Sequence, residues 1–249
     1  MRLIWPPADS VGAELTDKDL SQLYARPDAP SLRMNFVSSL DGAVDVAGYS
    51  EGLSGPADKR IFGLLRQLSD AVMVGAGTLR HEGYRAVRLD ENRRAWREER
   101  GLAAYPTLVV VSASLDVDPG QGAFADAPVR PIVITHGQSP PHRRRRIEGV
   151  ADLLISGDHE VDLAAAVAEL RTRGLNQVLC EGGPHLFGGL LAAGLVDELC
   201  LTVSPLLAGP GAGRIVAGRP RDATLGMSLV HILTADDTLF TRYTRIGRA

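Results

Sequence analysis

Asp70-Ala71-Val72-Met73-Val74-Gly75-Ala76-Gly77-Thr78 is the stretch that decides the fold. Ala71 to Val74 is an unbroken apolar run without alternation, which reads as a strand buried on both faces and so as part of a sheet covered by helices above and below. Gly75 to Thr78 is its exit. Immediately upstream, Pro56 to Ser69 sets Ile61, Leu64, Leu65 and Leu68 at i, i+3, i+4 and i+7, with Asp58, Lys59 and Arg66 off that stripe, and this spacing predicts a core-facing helix. Downstream, Glu91 to Arg100 predicts a charged, exposed helix, and Thr107 to Val111 and Ile132 to Thr135 repeat the short apolar strand. Pro140 to Arg146, with a run of four arginines beside two prolines, reads as a solvated loop.

The outer segments complete the pattern. Leu32 to Val37 predicts a buried strand that leaves through the polar turn Ser38-Ser39-Leu40-Asp41-Gly42. Val161 to Arg173 predicts a helix, with Arg171 and Arg173 at its negative dipole end and Gly174 as its stop. Gln177 to Cys180 predicts a strand, and Glu181-Gly182-Gly183-Pro184 leads from it into a helix over His185 to Ala193. Glu198 to Ser204, Leu225 to Leu233 and Thr238 to Ile246 are strand-like with no helix between them, so they pair antiparallel. Thr16-Asp17-Lys18-Asp19 carries an N-cap signature for a short helix through Leu20, Leu23 and Tyr24. The fold class is therefore α/β, with a mixed, mainly parallel central sheet and antiparallel C-terminal strands. No repeat, low-complexity linker or charge block divides the chain, so residues 1–249 are expected to form one domain, with 1–30 as a peripheral lead-in.

Composition limits the partners. The 249 residues are 45% hydrophobic and 23% charged, with a net charge of −3, so no positive field draws the protein to nucleic acid or anionic lipid, and a small molecule is the expected ligand. Cys180 and Cys200 are too few for a disulfide framework or a zinc set, and the six histidines show no metal-binding spacing, so no metal is expected. Met1 to Pro7 lacks a signal-peptide apolar core, and the longest apolar runs are of strand length, far below the roughly 20 residues of a membrane span. The expected location is the cytoplasm.

Two strand exits carry glycines. Gly75-Ala76-Gly77-Thr78-Leu79-Arg80 fails the dinucleotide fingerprint because Arg80 stands where the third glycine belongs. It is either an anion-holding turn of backbone N–H groups and a guanidinium or a plain turn with a surface arginine. Glu181-Gly182-Gly183-Pro184 lets an anion approach bare backbone donors at the positive end of a helix. Two such turns suit a ligand with separated phosphates, such as a dinucleotide. Ser38, Ser39 and Asp41 place two hydroxyls and a carboxylate at a third strand exit. There is no nucleophile elbow, and Cys180 lies inside an apolar strand as inert core.

Asn35-Phe36-Val37-Ser38-Ser39-Leu40-Asp41-Gly42, the segment Asp70 to Thr78, and Cys180-Glu181-Gly182-Gly183-Pro184-His185-Leu186, in that order and spacing, resemble the reductase family of riboflavin biosynthesis. This family forms the C-terminal half of a bifunctional deaminase/reductase and has a dihydrofolate reductase-like three-layer fold. The resemblance covers roughly residues 30 to 245. The H-x-E and P-C-x-x-C motifs of a zinc deaminase do not occur in these residues, so it implies the reductive step alone.

The resemblance implies NADPH-dependent reduction of the ribosyl group of 5-amino-6-(5-phosphoribosylamino)uracil to the ribityl chain, in a homodimer. Asp41 and Glu181 would be the catalytic carboxylates. Asn35, Ser50, Arg66 and Glu181 would hold substrate, with Arg66 at the 5′-phosphate. Gly75, Gly77, Thr78, Arg80, Glu82, Gly182, Gly183, Pro184, His185, Leu186 and Phe187 would hold the cofactor, and Ser112 would sit near its adenosine phosphate. The chain departs from the family pattern after Thr78, where Arg80-His81-Glu82-Gly83-Tyr84-Arg85 replaces an Asp- and Pro-containing stretch. Glu82 takes the aspartate's place there, and Arg85 and Arg88 compete for the role of second phosphate arginine. Two other readings stand beside this one: reduction of a pteridine on the same fold, and a nucleotide-binding protein without catalysis.

Overall fold

The computed structural model describes residues 1–7, 13–219 and 223–247. Its strands are β1 (Arg2–Trp5), β2 (Ser31–Ser38), β3 (Ala71–Gly75), β4 (Thr107–Val111), β5 (Ile132–Thr135), β6 (Asp152–Ile155), β7 (Gln177–Cys180), β8 (Glu198–Val203), β9 (Met227–Ala235) and β10 (Thr238–Arg245). Its helices are α1 (Asp17–Leu23), α2 (Pro56–Gln67), α3 (Ala76–His81), α4 (Glu91–Glu98), α5 (Gly122–Ala125), α6 (Pro141–Glu148), α7 (Leu163–Thr172) and α8 (Pro184–Ala192). The strands form one sheet in the order β1-β9-β10-β8-β2-β7-β3-β4-β5-β6. From β8 to β6 every pairing is parallel, whereas β8–β10, β10–β9 and β9–β1 are antiparallel. The mixed sheet expected from the sequence is what the chain forms.

The period-two geometry of the strands divides the core into layers. Ala71, Met73, Val178 and Cys180 point to one face and pack against Ala166, Val167 and Leu170 of α7 and Phe187 and Leu190 of α8. Val72, Val74, Leu108 and Val110 point to the other, against Leu79 of α3, Phe124 of α5 and Ile147 of α6. On that second face, Ile61, Leu64 and Leu65 of α2 join Leu20 and Tyr24 over Leu179, Cys200, Leu233 and Phe240. The α2 stripe is thus the expected core-facing one. A reciprocal capping box between Thr16 and Asp19 starts α1, a device worth about 1 kcal/mol. β1 adds the N-terminus to the sheet edge.

Three segments differ from the sequence reading. The four-arginine run is helix α6, not a loop: Pro141 pre-sets its first turn, Ile147 anchors it in the core, and Arg145 and Arg146 lie in its last turn. α4 is not wholly exposed, because Arg97 is buried and donates to the carbonyls of Gln67, Ser69 and Ala103. The exit of β3 is no loop either, since Gly75 is the N-cap of α3, which begins at once.

Beneath α1, Arg33 and Arg242 both bind Glu198, and His231 lies fully buried, edge-on to Tyr24, with no hydrogen-bond partner for either ring nitrogen among the described residues. Burial first, then Arg242 and Arg33, lowers the His231 pKa from 6.5 to about 4. An unfolded chain binds this proton near pH 6.5 and the native state only near pH 4, so stability is full above 6.5 and is lost as the pH falls between those values. Denaturant melts should show a loss on the order of 2 to 3 kcal/mol across that window. His231→Phe, which keeps the ring packing, should flatten it; an unchanged pH slope in the variant would place the acid sensitivity elsewhere.

Candidate functional site

The carboxyl ends of β2, β7 and β3 lie side by side, and a cleft of about 830 Å³ opens over them. In open α/β sheets ligands bind at such ends, because the chain leaves each strand there in loops free to carry function. At the end of β7, Glu181 is buried and accepts two hydrogen bonds from Arg66, Nε to Oε1 and Nη2 to Oε2, both at 2.7 Å. The Tyr84 hydroxyl donates to Oε2 at 2.8 Å. Arg66 comes from α2 and lies 4.2 Å over the Phe62 ring. Burial opposes the Arg66 charge, but Glu181 outweighs it and holds the guanidinium pKa above its ordinary value. Burial, and next Glu181, pushes the Tyr84 phenol well above its own, so the hydroxyl stays a donor.

Beside this triad the backbone forms a glycine cradle. The Gly182–Gly183 peptide is cis, Gly182 has φ +101°, and the Gly75 N–H donates to the Gly182 carbonyl at 2.7 Å. That φ favours glycine, and a Cβ there would meet the Phe36 ring at 3.0 Å. A Cβ on Gly183 would fall inside 3.0 Å of Thr78 Oγ1. α8 starts at Pro184 with no side-chain cap, so no side chain at Gly183 occupies the first-turn donors, and an anion is the complementary partner for such a helix start. Ser112 is buried nearby in sequence register, one residue past the Gly75–Val111 pair, and its Oγ has no hydrogen-bond partner among the described residues. An uncapped helix start, a space that only glycine leaves open and an orphaned hydroxyl all fit a phosphate-bearing cofactor.

Of the residues named from the sequence, Asn35, Ser50, Arg66, Gly75, Gly77, Thr78, Glu82, Glu181, Gly183, Pro184, His185 and Leu186 line this cleft. Glu82 Oε1 accepts from the Ser50 N–H at 3.2 Å, which ties the 3₁₀ turn Ser50–Leu53 to the end of α3. Phe187 lies behind the cleft, against Phe36 at 5.2 Å between ring centroids. Arg80 turns away and bonds to Asp116. Asp41 is not among the lining residues. Its carboxylate accepts from the Ser39 hydroxyl and from the N–H groups of Gly209 and Ala208, which hold its pKa at about 2. It ties the β2 exit to the loop after β8.

The sequence reading passed over Asp58, Phe62 and Tyr84 as site residues, and left Arg85 and Arg88 in competition. Asp58, Phe62 and Arg66 stand at i, i+4 and i+8, so one polar edge of α2 faces the cleft while its leucine stripe faces the core. That spacing was visible in the sequence. Arg85 lines the cleft, and among the described residues it has no acidic partner, whereas Arg88 lies outside and donates to the Asp126 carbonyl at 2.7 Å. No group of residues that could hold a metal ion occurs among the described residues, and no described helix is long and apolar enough to cross a membrane.

Residues 30–240 match the RibD C-terminal domain family. A 2,5-diamino-6-ribosylamino-4(3H)-pyrimidinone 5′-phosphate reductase of Archaeoglobus fulgidus is 30% identical over 72% of this chain and 82% of its own. The reductase of that name from Methanothermobacter thermautotrophicus is 28% identical over 88% of this chain and 99% of its own. Among solved structures, a pyrimidine reductase-like protein of Corynebacterium diphtheriae superposes with a TM-score of 0.84 at 26% identity, over 94% of this chain and all of the other. With its family model matched over residues 30–240, the chain belongs to the RibD C-terminal domain family.

Proposed function

We propose that the cleft binds NADPH along the glycine cradle and reduces the ribosyl group of a phosphorylated ribosylaminopyrimidine to the ribityl chain. Family membership makes the chain a riboflavin-biosynthesis reductase, and relatives in this family are named as reductases of such a pyrimidinone 5′-phosphate. The observation that carries the site assignment is that one cleft is lined both by the glycine cradle and by Asn35, Arg66 and Glu181. A cofactor and a second ligand can therefore meet over the ends of β2 and β7.

When bound, the reduced nicotinamide supplies the hydride for the anomeric carbon of the open-chain imine, whose C=N becomes C–N while the nitrogen takes a proton. The protein supplies position and charge. Glu181 commits both oxygens to Arg66 and Tyr84, so it acts as an anchor for the guanidinium rather than as a proton source. Arg66 Nε and Nη2 are taken, which leaves Nη1 for a substrate oxygen. Asp41, with its pKa near 2, is an acceptor that holds the loop after β8 and not an acid. Thr78, Ser112 and the first turn of α8 hold the cofactor phosphates. The reading keeps one domain, a cytoplasmic location and a homodimer.

Arg85 is the cation assigned to the substrate 5′-phosphate, since Arg66 is already neutralised. Arg85→Ala should raise the KM for the phosphorylated pyrimidine roughly tenfold with a smaller change in kcat, and Arg88→Ala should leave KM near wild type. Equal effects of the two would remove this assignment. The function itself is tested by following loss of reduced-nicotinamide absorbance with the phosphorylated pyrimidine, with dihydrofolate and with neither, against NADPH and NADH. Oxidation of NADPH that depends on the pyrimidine is expected. Binding of NADPH with no oxidation by any acceptor would overturn catalysis.

A further inference from the structure

The chain between β2 and α2 crosses the rim of the cleft as a strap. Ala43 and Leu53 are buried and anchor its ends, and none of residues 44–52 between them is buried. Val44, Asp45, Gly48, Ser50 and Glu51 nevertheless line the cleft, so this lightly anchored segment forms one of its walls. The strap doubles back at Ala47 and Gly48, with φ of +53° and +87°. Across that turn Val46 and Tyr49 exchange both backbone hydrogen bonds, at 3.0 and 3.2 Å, so the tip is a rigid hairpin on a loosely held arm.

The end of α3 holds this tip. His81 Nε2 lies 2.5 Å from the Gly48 carbonyl oxygen, which can only accept, so the imidazole donates. The Tyr49 ring stacks on the His81 ring, with centroids 4.8 Å apart and planes 10° apart. Glu82 Oε1 takes the Ser50 N–H. A segment with few buried contacts opens at little cost in free energy, so contacts of this kind decide how much of the time the wall stands in place. We propose that the Tyr49–His81 stack is the clasp of a gate, which swings clear to admit the phosphorylated pyrimidine and shuts over it. Tyr49 and His81 are then positioning residues: a ligand held only by the shut form binds with an affinity scaled by the shut fraction. The inference rests on the function proposed above and adds how its substrate is admitted and retained.

The test has a kinetic arm and an exchange arm, both on the full chain. With saturating NADPH, Tyr49→Ala and His81→Ala should each raise the KM for the phosphorylated pyrimidine about fivefold, the worth of one aromatic stack. Turnover at saturation should stay within about twofold, because the gate is shut once substrate fills the cleft. The double variant should be no worse than either single one, since all three lose the same stack, and Tyr49→Phe, which keeps it, should retain the wild-type KM. Without ligand, amide hydrogen exchange over residues 44–54 should be faster in both alanine variants at an unchanged Tm. Tyr49 is not among the lining residues, whereas His81 is. A rise in KM with His81→Ala alone would therefore make His81 a direct ligand contact and overturn the clasp. Additive effects in the double variant, or exchange unchanged in Tyr49→Ala, would overturn it too. Failure of the wild type to reduce any pyrimidine would instead remove the reading beneath the inference, and the exchange arm, which needs no turnover, would still decide whether the clasp exists.

Discussion

Glu181→Ala should be the most damaging single substitution in the cleft, because it leaves Arg66 as a largely buried cation with no counter-charge and removes the acceptor for Tyr84. Breaking a buried pair by deleting one partner costs roughly 3 to 5 kcal/mol. For a chain of this length that corresponds to a fall in Tm on the order of 10 °C. Turnover should fall at least about 100-fold, since the guanidinium loses both bonds that orient it. Stability and function can be separated here. Arg66→Met together with Glu181→Leu removes both charges, and well-packed apolar replacements of a buried pair are often neutral or better for stability. The double variant should therefore recover most of the melting temperature while remaining inactive. If it regained activity along with stability, the pair would be a structural tie and not part of the site.

Gly183→Ala should weaken NADPH binding by about 30-fold or more while the fold stays intact, because the new Cβ must push the Thr78 hydroxyl out of the cradle. Fluorescence titration of the reduced nicotinamide reads this directly. Gly188→Ala is the informative contrast. Its Cβ would meet the carbonyl oxygen of Ala217, a backbone atom held in place by the Ala217 N–H bond to the Pro184 carbonyl at 3.0 Å. That substitution should lower Tm before it lowers affinity. The two glycines lie close in sequence, one capping α8 and one inside it, and should fail in different ways. Equal loss of affinity and stability in both would argue that the cradle has no ligand-binding role.

The strand core was legible because it obeys a local rule. Thr107 to Val111, Ile132 to Thr135 and Gln177 to Cys180 are short, wholly apolar or nearly so, and flanked by turn residues, and the observed strands have those ends. β1 was not legible, since it contains the exposed Ile4 and Trp5 and acquires strand geometry from β9, which lies more than 200 residues away in the chain. The arginine run resembles a loop by its charge alone, although a charged helix needs only one apolar anchor, here Ile147. In the site, the glycine turns could be read because glycine marks where backbone must come close or adopt a positive φ. The partner of Glu181 could not, because Arg66 is 115 residues away and only the sheet order brings α2 to the end of β7. Asp41 had the right residue type at a strand exit, but the loop after β8 claims its carboxylate.

The central claim is that a hydride passes from reduced nicotinamide to the sugar carbon of a phosphorylated pyrimidine held in this cleft. Its most direct test uses NADPH deuterated at the transferable position, with 2,5-diamino-6-ribosylamino-4(3H)-pyrimidinone 5′-phosphate as acceptor and mass spectrometry of the product. The expected result is a ribityl product with one deuterium on the former anomeric carbon, formed in step with NADPH oxidation and lost in Arg66→Met/Glu181→Leu. NADPH consumed without deuterium in a ribityl product, or substrate recovered unchanged beside bound cofactor, would contradict it.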